Sequence, residues 1–160
     1  MNTQSDIQLR EQVVKHLQGG QAYMPLKHML KEIPFNQLGI KPHGLPYSLY
    51  QQFYHIRLAQ HDILEFFRNP DYESPEWPEG YWPEQQAPLD EQEWKQLIED
   101  YFEERQQLCD LILDTNNDLF TPFPHGSGQT LLREALLVIE HTSYHTGQLL
   151  ILIRLLELHD

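Results

Sequence analysis

The chain has almost no cysteine and few positive charges. Its 160 residues include one cysteine, Cys109, which excludes an internal disulfide framework and a cysteine-rich metal site. Lysine and arginine number 11 against 24 acidic residues, which gives a net charge of −13 with histidine neutral. Nucleic acids and anionic membranes attract basic protein surfaces, so neither is an expected partner. Cys109 lies in an apolar helical run, which favours a buried, inert thiol over a nucleophile.

Long hydrophobic runs are also missing. The most apolar stretch, Leu149–Leu156, is interrupted by Arg154 and is too short to span a bilayer. The first residues are polar and do not have the pattern of a secretory signal, so we expect a cytoplasmic protein. The length and the 40% share of hydrophobic residues suit one domain, 1–160, with one core.

No segment alternates polar and apolar residues in the way of a strand, so we expect no sheet. Four segments instead have helical periodicity, at about residues 5–33, 46–69, 90–118 and 128–158. Gly19 and Gly20 are expected to interrupt the first segment, which Ser5 is expected to cap. Pro46 is expected in the first turn of the second segment. The sequence therefore predicts an all-α four-helix bundle.

The connection between the second and third predicted helices is long and rich in proline. It reads NPDYESPEWPEGYWPEQQAPLD, with five prolines, and is too long for a tight antiparallel turn. Either it crosses the length of the bundle, which would make helices two and three parallel, or it forms a lid. Its aromatic residues indicate that it packs against the helices; they are Tyr72, Trp77, Tyr81 and Trp82.

Two of the nine histidines lie in the apolar final helix, in the stretch VIEHTSYHTGQLL. His141 and His145 are four residues apart, or about 40° on a helical wheel, and therefore share one face. Val138, Gln148 and Leu152 fall on the same face. Two neutral imidazoles in this arrangement can share a metal ion. The alternative is a pair of core histidines that are hydrogen-bonded to the backbone or to neighbouring side chains.

A third candidate ligand, His55, lies in the apolar second helix. Ala59, one turn later, would leave room for an ion, although a small residue also serves close helix packing. Asp62 and Gln52 share this face and are candidates to orient an imidazole or a bound water. Three histidines without cysteine suit a divalent ion such as Zn²⁺ or Ni²⁺. Three protein ligands leave a position for water or substrate, as in catalytic sites.

The remaining candidates carry less weight. Glu140 and Tyr144 could handle protons and Arg133 could meet an anionic substrate, but other faces and a surface ion pair explain them as well. His43 and His125 lie in loops that can approach the mouth of the site. The histidines expected at the surface or at helix ends are His16, His28 and His159. The motifs of di-iron bundles, zinc proteases, phosphate loops and serine hydrolases are absent.

Three stretches resemble the DinB-like family of metal-binding proteins. They are YHIRLAQHDILEF, NPDY and PHGSGQTLLREALLVIEHTSYHTGQLLILIRLL, and the resemblance covers nearly the whole chain. It implies a four-helix bundle in up-down-down-up order with a long second connection. It also implies a divalent ion that is held by His55, His141 and His145.

The resemblance implies function less closely. Some relatives are thiol-dependent transferases or isomerases that use a low-molecular-weight thiol such as bacillithiol or mycothiol, and members tend to form homodimers. We therefore expect a homodimeric protein with an open three-histidine metal site, acting as a thiol-dependent S-transferase on a small molecule. The alternatives are a non-catalytic metal-binding protein of a stress response or interaction, and a metal-dependent hydrolase.

Overall fold

The computed structural model describes residues 3–31 and 33–158, so His159 lies outside it. Over this part of the chain the structure is all helical and has no strand, as predicted. The α-helices are α1 (Gln4–Leu17), α2 (Leu26–Lys31), α3 (Leu49–Arg68), α4 (Glu91–Leu113) and α5 (Leu131–Leu155). Short 3₁₀ helices span Phe35–Gln37, Pro42–Gly44 and Glu79–Tyr81. The four long helices, α1, α3, α4 and α5, pack against one another as a bundle.

Each long helix begins after a residue whose side chain accepts a backbone hydrogen bond. These N-cap residues are Thr3, Ser48, Asp90 and Thr130. At Ser48 the bond is reciprocal, because the Gln51 side chain accepts from the Ser48 N–H. The predicted helix start at Pro46 is therefore wrong, since this capping box fixes the first turn at Leu49. The predicted Ser5 cap is wrong for the same kind of reason, because Thr3 has that role.

Of two helix ends predicted from the sequence, the structure confirms one and places the other elsewhere. The break predicted from the glycine pair is confirmed: α1 ends at Leu17, and Gly19 and Gly20 both have φ of +76°, which favours glycine. The third predicted helix does not continue to Asp118. It ends at Leu113, because the Asp114 carboxylate accepts a hydrogen bond from the Asn116 N–H and stabilises a turn in place of a further helical turn.

A polar layer divides the apolar core into two clusters. One cluster includes Phe53, Ile56, Tyr101 and Leu149. The other includes Leu64, Leu108, Leu131 and Val138. Between them, at mid-height on α3, α4 and α5, lie buried polar side chains: His55, Gln60, Arg105, Thr142, His145 and Thr146. The bundle therefore places its polar chemistry in the middle of the core rather than at one end.

Arg105 joins all four long helices within this layer. Its Nε donates to Gln60 Oε1 on α3 at 2.5 Å, and Nη1 donates to the Leu17 carbonyl of α1 at 2.6 Å. Its Nη2 donates to the Tyr101 hydroxyl of α4 and to Thr142 Oγ1 of α5, both at 2.9 Å. Arg105 is only 5% exposed, so these hydrogen bonds replace the hydration of its guanidinium.

The proline-rich connection, residues 70–89, is fastened to α3 and is here named the strap. The Ser48 hydroxyl donates to the Gln86 carbonyl at 2.5 Å, and Gln51 Nε2 donates to the Pro83 carbonyl at 3.3 Å. The Tyr81 hydroxyl donates to Asp62 Oδ2 at 2.6 Å. The strap thus packs against the helices as predicted, through Tyr81 and Trp82, whereas Trp77 remains exposed. Over the described ranges, every helix is too short or too polar to cross a membrane.

Candidate metal centre

The three predicted ligands come together in the polar layer. His55 projects from α3, and His141 and His145 project from successive turns of α5. His55 and His145 are 1% and 8% exposed, whereas His141 is partly exposed. Each helix brings its histidine inward because the neighbouring turns carry core residues on the same face.

The imidazole nitrogens converge on one point. The Nε2 atom of His55 lies 3.0 Å from His141 Nε2 and 3.2 Å from His145 Nε2. One nitrogen from each of the three rings lies within 4.8 Å of the other two. Nitrogens that are about 2.0–2.1 Å from a shared tetrahedral ion are about 3.3–3.4 Å apart, so the observed spacing is close to that of a metal centre.

The backbone fixes which nitrogen of His55 carries the hydrogen. His55 Nδ1 lies 3.0 Å from the Tyr81 carbonyl oxygen, which can only accept. The hydrogen of the neutral ring therefore lies on Nδ1, and Nε2 presents its lone pair to the other two histidines. The second contact that metal-binding histidines normally need is thus provided by the strap.

Two glutamines hold His145. Its Nδ1 lies 3.0 Å from Gln148 Oε1 and 2.6 Å from Gln52 Nε2. Gln52 Nε2 also donates to Gln148 Oε1 at 2.8 Å, and the Oε1 atom of Gln52 is buried without a partner in the described ranges. Gln148 Oε1 can accept from an Nδ1–H, the tautomer that leaves His145 Nε2 free to bind an ion.

The three nitrogens do not satisfy one another. His55 Nε2 has a single lone pair, which can accept one hydrogen, yet it faces both His141 and His145. A cation that accepts three lone pairs would resolve this arrangement. The fixed His55 tautomer agrees with the same state, so the donor set fits a divalent ion.

Burial keeps the three rings neutral. Burial lowers the pKa of His55 below its usual value, although the Tyr81 carbonyl opposes this change. Burial, followed by the nearby His145 and His55, lowers the pKa of His141 to about 3. Burial and His55 lower the pKa of His145 to about 4, against the effect of Gln148. At neutral pH all three are therefore in the form that binds metals.

Aromatic rings cover His55 on the side of the strap. The Trp82 indole is parallel to the His55 imidazole, with centroids 4.0 Å apart, and Tyr47 stacks on the far face of Trp82 at 4.1 Å. Tyr144 places its ring edge-on to His145 at 4.9 Å but is 65% exposed. These rings limit how far the imidazoles can turn and keep water from the His55 face.

A cavity of about 370 Å³ opens beside His141. Its apolar and aromatic walls include Ala59, Ile63, Phe66, Trp77, Tyr81, Leu137 and Val138. Its polar lining includes Asp62, Ser74, Gln129, Arg133 and Glu134. Because small-molecule sites usually measure about 300–1,000 Å³, this cavity can hold a small ligand next to one of the three histidines.

The two predicted supporting residues have different positions from those expected. Gln52 contacts His145 rather than its own helical neighbour His55. Asp62 reaches His55 only through Tyr81, whose hydroxyl donates to Asp62 and whose carbonyl accepts from His55. Sequence reasoning missed this carbonyl and the Trp82 stack; the cluster of aromatic residues in the strap was the available signal.

The weaker candidates have structural explanations. Arg133 pairs with Glu134, and Glu140 is exposed. His125 Nε2 donates to the Phe66 carbonyl at 2.8 Å, and His43 is exposed and lies outside the lining of the cavity. The remaining histidines of this group that the structure describes, His16 and His28, are exposed. Cys109 is 1% exposed, and burial raises the pKa of its thiol, so it is an inert core residue.

The fold and the site together define a class of protein: a helical bundle whose middle layer presents three neutral histidines beside a small cavity. A family model described as the DinB superfamily matches residues 18–149, which include all three histidines. The chain therefore belongs to the DinB superfamily, and the resemblance seen in its sequence is confirmed. No curated protein and no solved structure gave a significant match.

The role of Gln148 can be tested by metal affinity. We expect Gln148→Leu to weaken binding of Zn²⁺ about 10-fold, because His145 Nδ1 loses an acceptor while the side-chain volume is kept. Competition with a chromophoric chelator measures the change. Gln106→Leu, on the exposed face of α4, is the matched control and should leave the affinity unaltered. Equal affinities of the two variants for Zn²⁺ would show that Gln148 does not support the metal centre.

Proposed function

We propose that this protein binds one divalent ion, Zn²⁺ or Ni²⁺, through His55, His141 and His145, and acts as a metal-dependent enzyme. The observation that carries the proposal is the convergence of three Nε2 atoms, around a fixed His55 tautomer, beside a cavity that can hold a substrate. A bound divalent ion would stabilise a thiolate, or another deprotonated ligand, at neutral pH. The partner we propose is a small molecule rather than a nucleic acid or a membrane.

The chain's own residues prepare this site in three ways. Tyr81 and the two glutamines orient His55 and His145 through their Nδ1 atoms. Trp82 shields His55 from water. His141 is the most accessible ligand and adjoins the cavity, so a substrate would approach from its side.

The most specific form of the proposal is a thiol-dependent S-transferase. The sulfur would come from a cosubstrate such as bacillithiol or mycothiol, because the one cysteine of the chain is buried and does not line the cavity beside His141. Three protein ligands leave a position at which a thiolate can bind a Zn²⁺-like ion. Membership of the DinB superfamily is compatible with this chemistry but does not specify it.

Cobalt substitution tests the thiol assignment directly. We expect bacillithiol, added to the Co²⁺ protein, to produce a thiolate-to-cobalt charge-transfer band that saturates at one thiol per chain. The O-analogue, in which a hydroxyl replaces the thiol, should produce no such band. The absence of a band with both bacillithiol and mycothiol would rule out the transferase.

The same protein distinguishes the two alternatives. Ester turnover without thiol, rising with an apparent pKa near about 7, would favour a hydrolase. A bound ion that responds to neither thiol nor substrate would favour a non-catalytic metal-binding protein, active in a stress response or through a partner surface.

We also propose that the chain is one domain whose long helices follow the order up-down-down-up. Contacts between α3 and α4 advance together along both helices, as in a parallel pair: Tyr50 with Glu93, Arg57 with Glu104, and Arg68 with Gln107. Contacts between α3 and α5 run in opposite directions, with Gln52 on Gln148 and His55 on His141. Contacts between α1 and α4 do so too, with Arg10 on Ile112 and Leu17 on Arg105.

A cytoplasmic homodimer is the proposed state of the protein. Its support is an exposed apolar stripe along α5, formed by Leu136, Tyr144, Ile151 and Leu155. Gly147 lies within the stripe, and a side chain at this position would meet no atom within 4 Å. Two copies could therefore approach closely there. The molar mass in solution, measured by light scattering, tests this state against a monomer of 19.1 kDa.

A further inference from the structure

We propose that the cavity beside His141 binds a small organic amine, whose ammonium group donates to Asp62 and whose apolar body lies among the aromatic walls. The claim that this cavity binds an amine is argued from the geometry of the cavity alone. The assignment of amines as the substrate class of the metal centre rests on the function proposed above.

Asp62 supplies a negative charge with an unused acceptor. Its Oδ2 atom accepts from the Tyr81 hydroxyl at 2.6 Å, while its Oδ1 atom is buried and has no hydrogen-bond partner within residues 3–31 and 33–158. None of the ion pairs in these ranges includes Asp62. A buried carboxylate oxygen without a donor is costly, so a ligand that brings an N–H to it is favoured.

The groups around Asp62 do not neutralise its charge. Burial and the Asp62 carboxylate raise the pKa of Tyr72 to about 12, and they raise the pKa of Tyr81 well above its usual value. Both phenols therefore remain uncharged at neutral pH. A cationic ligand would supply the charge that these two side chains lack.

The other charged groups of the cavity already form a pair. The buried Glu134 carboxylate accepts from Arg133 Nη1, and both residues line the cavity. With this pair neutral, Asp62 leaves the side chains of the cavity with a net negative charge. Asp62 would repel an anionic ligand, and Arg133 is already paired with Glu134 and does not compensate for this repulsion. A cationic ligand would instead be attracted to Asp62.

The walls suit the apolar part of an amine. Phe66, Trp77 and Tyr81 line the cavity, and the Trp77 and Tyr81 rings meet edge to face at 5.3 Å. Aromatic faces attract ammonium groups and also pack against apolar chains. Trp77 is 67% exposed, so a ligand that covered it would bury aromatic surface that the protein leaves in water. A carboxylate among aromatic rings is thus the recognition chemistry of an organic cation.

Three probes of similar size test the charge preference by calorimetry: 2-phenylethylammonium, 2-phenylethanol and phenylacetate. We expect the amine to bind at least 10-fold more tightly than either of the others. In Asp62→Asn, which keeps an acceptor for Tyr81, the preference for the amine should disappear. Asp110→Asn, which removes an exposed carboxylate of α4, should retain it. Equal binding of the three probes, tighter binding of phenylacetate, or an unchanged preference in Asp62→Asn would overturn the proposal.

A metal-free background separates this site from the metal centre. Amines can also ligate metal ions, so the titrations are repeated in chelator-treated His145→Ala, where we expect the affinity for the amine to stay within about threefold, because His145 does not line the cavity. If that variant loses amine binding, the cavity is not an independent site. If amine binding persists but the wild-type protein takes up no metal, the binding site stands and the substrate assignment fails.

A second variant covers the case in which Asp62→Asn does not fold. Ala59→Leu adds volume to the wall of the cavity and leaves Asp62 in place. We expect it to weaken binding of the amine at least 10-fold. Unchanged binding in this variant would show that the amine lies elsewhere and would overturn the proposal.

Discussion

We expect the wild-type protein to bind about one divalent ion per chain and the combined replacement of His55, His141 and His145 with alanine to abolish this binding. Each single replacement should weaken binding by more than about 100-fold, because losing a direct ligand costs more than losing the 10- to 100-fold contribution of a residue that orients one. Elemental analysis of the purified proteins measures the stoichiometry, and chelator competition measures the affinities.

His61→Ala is the matched control for these variants. His61 is on α3, as His55 is, but its Nδ1 lies 2.8 Å from Glu104 Oε1 and away from the cluster. The control should bind metal as the wild-type protein does. Retention of the ion by the triple variant would place the metal elsewhere. Absence of uptake by the wild-type protein, even with added Zn²⁺ or Ni²⁺, would make the three histidines core residues and favour an interaction role.

Replacing Arg105 with leucine should destabilise the protein by about 2–6 kcal/mol, because at least two buried acceptors lose their donor at a cost of about 1–3 kcal/mol each. The substitution leaves the Gln60 side-chain oxygen and the Leu17 carbonyl without a donor inside the core. Denaturation with urea, monitored by circular dichroism, measures the loss. Because Thr142 follows His141 directly, we also expect weaker metal binding in this variant.

An exposed arginine provides the comparison. Arg68 has a side chain that is 40% exposed and pairs with Glu65, so Arg68→Leu should cost no more than about 1 kcal/mol. A loss below 1 kcal/mol for Arg105→Leu would mean that the polar layer does not hold the four helices together. The metal centre would then depend on the apolar clusters alone.

The metal candidates could be identified from the sequence because helical periodicity fixes relative directions. His141 and His145 share a face at any depth in the bundle, and the apolar neighbours of His55 turn it inward as well. The long helices and the break at Gly19 follow from the same periodicity and from glycine chemistry. These inferences require only local geometry, which the sequence determines.

The remainder of the site depends on contacts that have no local signature. Tyr81 orients His55 with its backbone carbonyl, a group that every residue carries, so no residue type reveals this role. Trp82 reaches His55 only because the strap crosses α3 at that height. The end of α4 could not be read from its apolar spacing, since the turn at Asp114 competes with one more helical turn. The sequence identified Asp62 by the helix face on which it lies, but it did not identify Tyr81 as the hydrogen-bond donor to Asp62.

The parallel stack of Trp82 on His55 gives the protein an optical reporter. A paramagnetic ion such as Ni²⁺ or Co²⁺, bound to the opposite edge of that imidazole, would lie close enough to the indole to quench its emission. Trp94 is packed edge-on against Phe53 in the core, and Trp77 is at the mouth of the cavity, so the three tryptophans have distinct surroundings. Emission from single-tryptophan variants can therefore distinguish an ion arriving at the centre from a ligand entering the cavity, without any attached label.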